Sequence, residues 1–329
     1  MKAIVLEEYG GPEVLRLREV PEPAPGPDEV LVRVAATALN RADLLQRMGR
    51  YPPPSPRPAH EIPGLEFAGT VERVGERVTT ARPGDRVCGL LAGGGYAEHV
   101  VTHERMLIPI PEGMSFEEAA AIPEVFLTAF DALFSQANLR LGEVVLVHAG
   151  GSGVGTAAIQ LARAAGARVL CTLGSAEKAA RAQALGAELA INYREQDWVA
   201  VTRAATGGRG ADVILDFVGA PYLEQNLAAA APLGRIVFIG TMGGAAGTLN
   251  LGLLMQKRLR LFGTVLRARP IEEKIALTQA FLHHALPLFR AGVLHPVVDR
   301  VFALHEAPDA HRYMEENRNF GKIILRVAT

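Results

Sequence analysis

Residues 145–167 read VLVHAGGSGVGTAAIQLARAAGA. An apolar strand enters a run of glycines, and an Ala-rich helix leaves it. In that setting a helix N-terminus can receive the pyrophosphate of a dinucleotide. Counted from Gly150, the fingerprint G-x-G-x-x-G is imperfect, because Ser152 takes the second glycine position and Gly155 the third. Serine still permits a tight turn, and Gly155 lets the helix pack on the strand. Gly150, Ser152, Gly153, Val154 and Gly155 are therefore the expected phosphate-binding residues.

The alternation continues beyond this turn. ARVLCTL (167–173), ADVILDFVG (211–219) and RIVFIG (235–240) are strand-like, while SAEKAARAQALGA (175–187) and YLEQNLAAAAPLG (222–234) are helix-like. Repeated βα units imply a parallel, doubly wound sheet of the Rossmann kind. An NAD site would place Asp or Glu at the end of the second strand, to bind the ribose hydroxyls. Gly174 stands there instead, followed by Ser175 and Lys178, which can both donate to a 2′-phosphate. Tyr193, in INYREQDW, is a further donor. The expected cofactor is NADPH.

The first third of the chain reads as β. MKAIVL, EVLVRVAATAL, EFAGTVERVG, RVCGLL and GYAEHVVTH are separated by Gly/Pro-rich turns, and the proline-rich stretch 51–58 reads as a loop or lid. Ser115 and Glu118 form a capping box at the start of a helix. A strand is expected near 259–264, helices around 271–291 and 306–316, and a closing strand in GKIILRV. The reading is an α/β protein: a β-rich domain in two pieces, 1–122 and 266–329, and a nucleotide-binding domain, 123–265.

Bulk properties narrow the partners. The 329 residues carry a net charge of -1, which gives no electrostatic reason to expect nucleic acid or an anionic membrane. The two cysteines, Cys88 and Cys171, form no metal-binding cluster. No apolar stretch approaches membrane-spanning length and the N-terminus lacks a signal-peptide core, so the expected location is cytoplasmic.

PGLEFAGTV (63–71) places one carboxylate, Glu66, inside an apolar run. With the strand-rich unit, the late nucleotide fold and the returning segment, this run resembles the medium-chain dehydrogenase/reductase superfamily, whose first domain is GroES-like. Zinc alcohol dehydrogenases of that superfamily carry GHEFAG, in which the His binds the metal. Here Leu65 stands in that place, Asn40 falls where the first ligand Cys would be, and the third ligand position falls near Glu124. The reading is therefore no metal, and Glu66 is expected to be a buried group hydrogen-bonded to backbone or to neighbours such as Asn40.

The chain is most similar to the zinc-free, zeta-crystallin-like NADPH:quinone oxidoreductases, and among them to the subgroup induced by a tumour suppressor. ALNRADLLQRMGRYPPP, LLAGGGYAEHV, HAGGSGVGTAAIQLAR and YMEENRNFGKIIL carry the resemblance. It implies hydride transfer to a quinone or another electrophilic carbonyl. It places Asn40, Asp43 and Tyr51 in the reactive cleft, Thr128, Phe238 and Gly240 beside the nicotinamide, and Asn317, where relatives often carry Arg, near the adenosine phosphate. Asn40 and Asp43 also read as the cap of the helix that follows them. LNLGLLMQKRLRLFGTVL resembles the family's dimer edge, implying a homodimer, or a tetramer of two such pairs. Two rivals stand beside this reading: an enoyl or enone reductase with the same cofactor, and a cofactor-bound structural or RNA-binding protein.

Overall fold

When each strand is followed by a helix, the strands must run parallel, and the middle of this chain obeys that rule. The computed structural model describes residues 1–51 and 58–327. Most of the stretch read as a loop or lid thus lies outside the described residues. In chain order come β1 (Lys2–Leu6), β2 (Leu15–Glu19), β3 (Glu29–Ala38), α1 (Arg41–Arg47), β4 (Glu66–Val74), β5 (Arg86–Leu90), β6 (His99–His103), β7 (Leu107–Pro109), α2 (Phe116–Ala120) and α3 (Pro123–Phe130). There follow β8 (Val144–Val147), α4 (Gly153–Ala164), β9 (Arg168–Leu173), α5 (Ala176–Ala184), β10 (Leu189–Asn192), α6 (Trp198–Ala205), β11 (Ala211–Asp216), α7 (Leu223–Ala229), β12 (Ala230–Phe238), α8 (Leu251–Lys257) and β13 (Arg260–Gly263). The chain closes with α9 (Ile271–His284), α10 (Leu286–Arg290), β14 (Val298–Ala303), α11 (Ala307–Glu315) and β15 (Lys322–Arg326).

Two compact units result, Met1–Leu127 with Leu266–Thr329, and Thr128–Val265. The first boundary lies inside α3 rather than ahead of it. In the central unit the sheet order is β10-β9-β8-β11-β12-β13, with every neighbour parallel. This is the doubly wound order expected of a dinucleotide fold. β8 and β11 are buried along their whole length, as apolar runs covered on both faces must be. Leu146, Leu170, Ile214 and Ile236 join Trp198 and Leu227 in one core.

The loops at the carboxyl edge of this sheet are built by helix caps. Ser152 Oγ accepts the Gly155 N–H at 3.0 Å, Ser175 Oγ the Lys178 N–H at 3.2 Å, and Asp197 Oδ1 the Val199 N–H at 2.9 Å. Ala149 sits at φ 47°, in the left-handed region that costs an L-residue energy, so the turn into α4 stores strain.

In the other unit β3 is the hub, pairing with β15, β4 and β6. β2, β7 and β14 were not expected from the sequence. They are short or polar, with weak alternation. The helix expected over 271–291 is two helices, because Pro287 withdraws a backbone donor after Ala285. The capping box of Ser115 and Glu118 is present. Cys88 and Cys171 are both free and buried, and burial pushes the Cys171 thiol up to about 12 and that of Cys88 higher still.

A Cβ at position 155 would stand 2.4 Å from the Ala149 carbonyl oxygen and 2.8 Å from Gly150 Cα, both backbone atoms that cannot yield. Gly155→Val should therefore lower the unfolding free energy by about 3 kcal/mol or more, read from denaturant melts.

Candidate functional site

Parallel strands all end on one edge, and that edge gathers the residues expected to hold a nucleotide. After β8, the first N–H groups of α4 have no partner within the helix, as at any helix start, and point into the Gly150–Gly155 turn. Gly150 is required there, since a Cβ would lie 2.8 Å from Cys171 Cβ. After β9, Ser175 uses its oxygen to cap α5 and keeps its hydroxyl proton for another acceptor. Tyr193, after β10, leans its hydroxyl over Gly174, within 2.9 Å of where a Cβ would be. Phe238, the last residue of β12, pairs with Asp216 at the end of β11, and Gly240 follows beside it. A Cβ on Gly240 would be 3.2 Å from the Phe217 carbonyl. Thr128 is buried, and its Oγ1 has no partner among the described residues. Donors, glycines and the absence of a carboxylate at Gly174 together fit a phosphorylated nucleotide.

Sequence reasoning missed what stiffens this edge. His148, at the end of β8, meets Thr172 Oγ1 at 3.0 Å and Asn226 Oδ1 at 2.8 Å. Asn226 Nδ2 donates to Asp216 Oδ2 at 2.8 Å, and Asp216 Oδ1 accepts the N–H groups of Val218 and Gly219. The chain of bonds ties the ends of β8, β9 and β11. Burial pushes the His148 imidazole down to about 4, so it stays neutral.

In the β-rich unit, Glu66 is fully buried at the start of β4. Its Oε1 accepts from Asn40 Nδ2 at 2.8 Å and lies 2.7 Å from Lys322 Nζ, and its Oε2 accepts the Glu124 backbone N–H at 2.8 Å. The Lys322 ammonium completes its three bonds on Leu39 O and Asn40 Oδ1, at 2.6 and 2.7 Å. Glu66 is thus hydrogen-bonded to backbone and to Asn40, and a lysine the sequence did not flag supplies its counter-charge.

Asp43 is also fully buried. It accepts from the Asn40 and Gly64 N–H groups, at 2.8 and 3.2 Å, and from the Tyr96 hydroxyl at 3.1 Å. Burial outweighs these bonds and pushes its carboxyl up to about 6. Asn40 and Asp43 therefore carry structural duties at the start of α1. Glu124 adds a third carboxyl, pushed up to about 8 by burial and then by the Glu66 charge.

Tyr51 is half-buried, with the Arg267 guanidinium 4.7 Å above its ring. Burial raises its phenol pKa, and the Arg267 charge opposes that rise. Arg267 Nε donates to Ala92 O at 2.7 Å, and its buried Nη1 and Nη2 stay beside the Tyr51 hydroxyl, the group on which the guanidinium acts. Asn317, just past α11 at φ 54°, accepts from Arg41 at 2.7 Å. Among the described residues no three His, Cys, Asp or Glu side chains gather as a metal site. No helix of the described residues is long and apolar enough to cross a membrane.

The family described as alcohol dehydrogenase GroES-like domain matches residues 26–112, and that described as zinc-binding dehydrogenase matches 153–281. A quinone oxidoreductase of Pseudomonas aeruginosa is 36% identical over 332 residues, covering 98% of this chain and 99% of that protein. The chain belongs to the quinone oxidoreductase family. Like other quinone oxidoreductases, it shares its fold with a wider group of dehydrogenases. The crystal structure of Escherichia coli quinone oxidoreductase complexed with NADPH has a TM-score of 0.88 at 33% identity, covering 99% of this chain and 100% of that one. A structure described as an NAD-dependent alcohol dehydrogenase reaches a TM-score of 0.90 at 38% identity over the whole of both chains.

Lys322→Met removes the buried partner of Glu66 and should cost about 3–5 kcal/mol of stability. Adding Glu66→Gln to that variant should recover part of the loss, and a double-mutant cycle by denaturant melts measures the coupling.

Proposed function

We propose that this chain is a zinc-independent, NADPH-dependent quinone reductase. The observation that carries the reading is Arg267, whose buried guanidinium lies over the Tyr51 ring and acts on its hydroxyl as a charge and a hydrogen-bond donor. Reducing a quinone places negative charge on an oxygen, and fixed donors aimed at that oxygen lower the barrier. Gly174, Ser175, Lys178 and Tyr193 support NADPH over NADH, and the NADPH complex of the E. coli relative agrees.

NADPH, when bound, supplies the hydride. This chain's residues do the rest. Arg267 and Tyr51 hold the acceptor oxygen and offset its developing charge. Hydride plus one proton converts a quinone to a hydroquinone, and Glu124 keeps a proton at neutral pH within the same cluster. Leu65, an apolar residue, and Asn40, already bonded to Glu66 and Lys322, leave a zinc ion too few ligands. Without a Lewis acid an alcohol is a poor substrate, whereas a quinone is already electrophilic. Leu251, Met255 and Val265 are exposed around the edge strand β13, which supports a homodimer through that edge.

The test is NADPH and NADH oxidation with 9,10-phenanthrenequinone, with and without a strong chelator. The expected result is NADPH-preferring turnover that the chelator leaves intact. Loss on chelation would sink the zinc-free reading, and turnover confined to enones would replace the quinone by an enoyl substrate. On the same acceptor, Arg267→Met should lower kcat about 100-fold while NADPH still binds, measured by cofactor fluorescence.

A further inference from the structure

LLAGGGYAEHV (90–100) leads out of β5 through consecutive glycines, Gly93 to Gly95. Gly94 stands at φ 88°, where an L-residue would be strained, and its N–H donates to the Ile62 carbonyl at 2.9 Å. A Cβ added at Gly94 would meet nothing within 4 Å. The glycine run is therefore stitched to the segment before β4, yet it leaves open space beside itself. That space is a groove of about 330 Å³ within the β-rich unit.

The groove has largely apolar walls. Leu91 and Val100 belong to the buried core around β3, and Ile62 and Val101 are half-buried beside them. Gln46, on α1, adds a polar spot, with its Nε2 donating to Glu61 Oε1 at 3.1 Å. Another lining residue, Ala92, joins the groove to the acceptor site. Its carbonyl accepts the Arg267 Nε–H at 2.7 Å, and the same guanidinium lies over the Tyr51 ring. The groove thus opens from the backbone that seats Arg267. Its volume is at the low end for ligand pockets, which suits a substituent of a few carbons rather than a whole cofactor.

We propose that this groove takes an apolar substituent of the acceptor, a short alkyl or prenyl chain on the ring whose oxygen meets Arg267 and Tyr51. This rests on the quinone reading above and names the preferred acceptors as alkylated rather than bare quinones. Each methylene that leaves water for the groove favours binding. The chain is remote from the reacting carbonyl, so its contacts are the same before and during hydride transfer. They act on KM and leave kcat alone.

The test is kcat and KM at saturating NADPH for 1,4-naphthoquinone and its 2-methyl, 2-propyl and 2-pentyl derivatives, in wild type and Val101→Trp. The methyl compound is the reference, because lengthening the chain beyond its first carbon hardly changes the electrophilicity of the ring. From methyl to pentyl, KM should fall about 10- to 50-fold in wild type at constant kcat. Val101→Trp fills the groove from β6 and should abolish that fall, while turning over the methyl compound as wild type does. Thermal melts check that the variant is folded. A wild-type KM indifferent to chain length would overturn the proposal, whatever the variant did, and would leave the quinone reading standing. So would a Val101→Trp protein that raises KM equally for the methyl and pentyl compounds. A wild type that binds NADPH but reduces none of the naphthoquinones, nor 9,10-phenanthrenequinone, would instead remove the quinone reading and this proposal together.

Discussion

A buried carboxylate cannot stay charged in an apolar strand unless something opposite is brought to it. Glu66 meets that demand with Lys322, and the rest of the β-rich unit follows from how the two are brought together. They are 256 residues apart in sequence. β15 must return to pair with β3 for the ammonium to reach the carboxylate. Asn40 bridges both charges, and Asp43 fastens Asn40 from one turn further along α1. The pair's worth lies less in net stability than in fixing one register of the returning strand against the hub.

The nucleotide unit depends on a different economy. Short polar bonds hold its loops. Serine and aspartate caps start the helices, and His148, Asn226 and Asp216 link three strand ends into one frame. Neutral His148 suits this role, because a charged imidazole there would lack a counter-ion. A pre-set edge spares a ligand the cost of ordering it.

Legibility in the sequence followed the range of the signal. The turn at Gly150–Gly155 and the βα alternation are local patterns, and they specified the parallel sheet before any contact was known. Capping at Ser115, Ser152 and Ser175 is equally local. Glu66 could be read as a question, because a carboxylate among apolar residues is locally odd. Its answer could not be read, because Lys322 in GKIIL looks like any strand-end lysine. Arg267 was invisible for the same reason: nothing near RARP announces that a tyrosine ring more than two hundred residues earlier will lie beneath it. The break in the helix expected over 271–291 is a local signal too, carried by Pro287, which lacks the backbone donor a continuous helix needs there.

Quinones are also alkylating agents, and it is the thiolate that they attack. The two cysteines of this chain are both buried, one of them directly under the glycine turn at Gly150, and both are held firmly as thiols. At neutral pH the folded chain thus offers an electrophile no reactive sulfur. The close packing that seats Gly150 on Cys171 makes the nucleotide turn tight, and it also makes the protein chemically resistant to the class of compound proposed as its substrate.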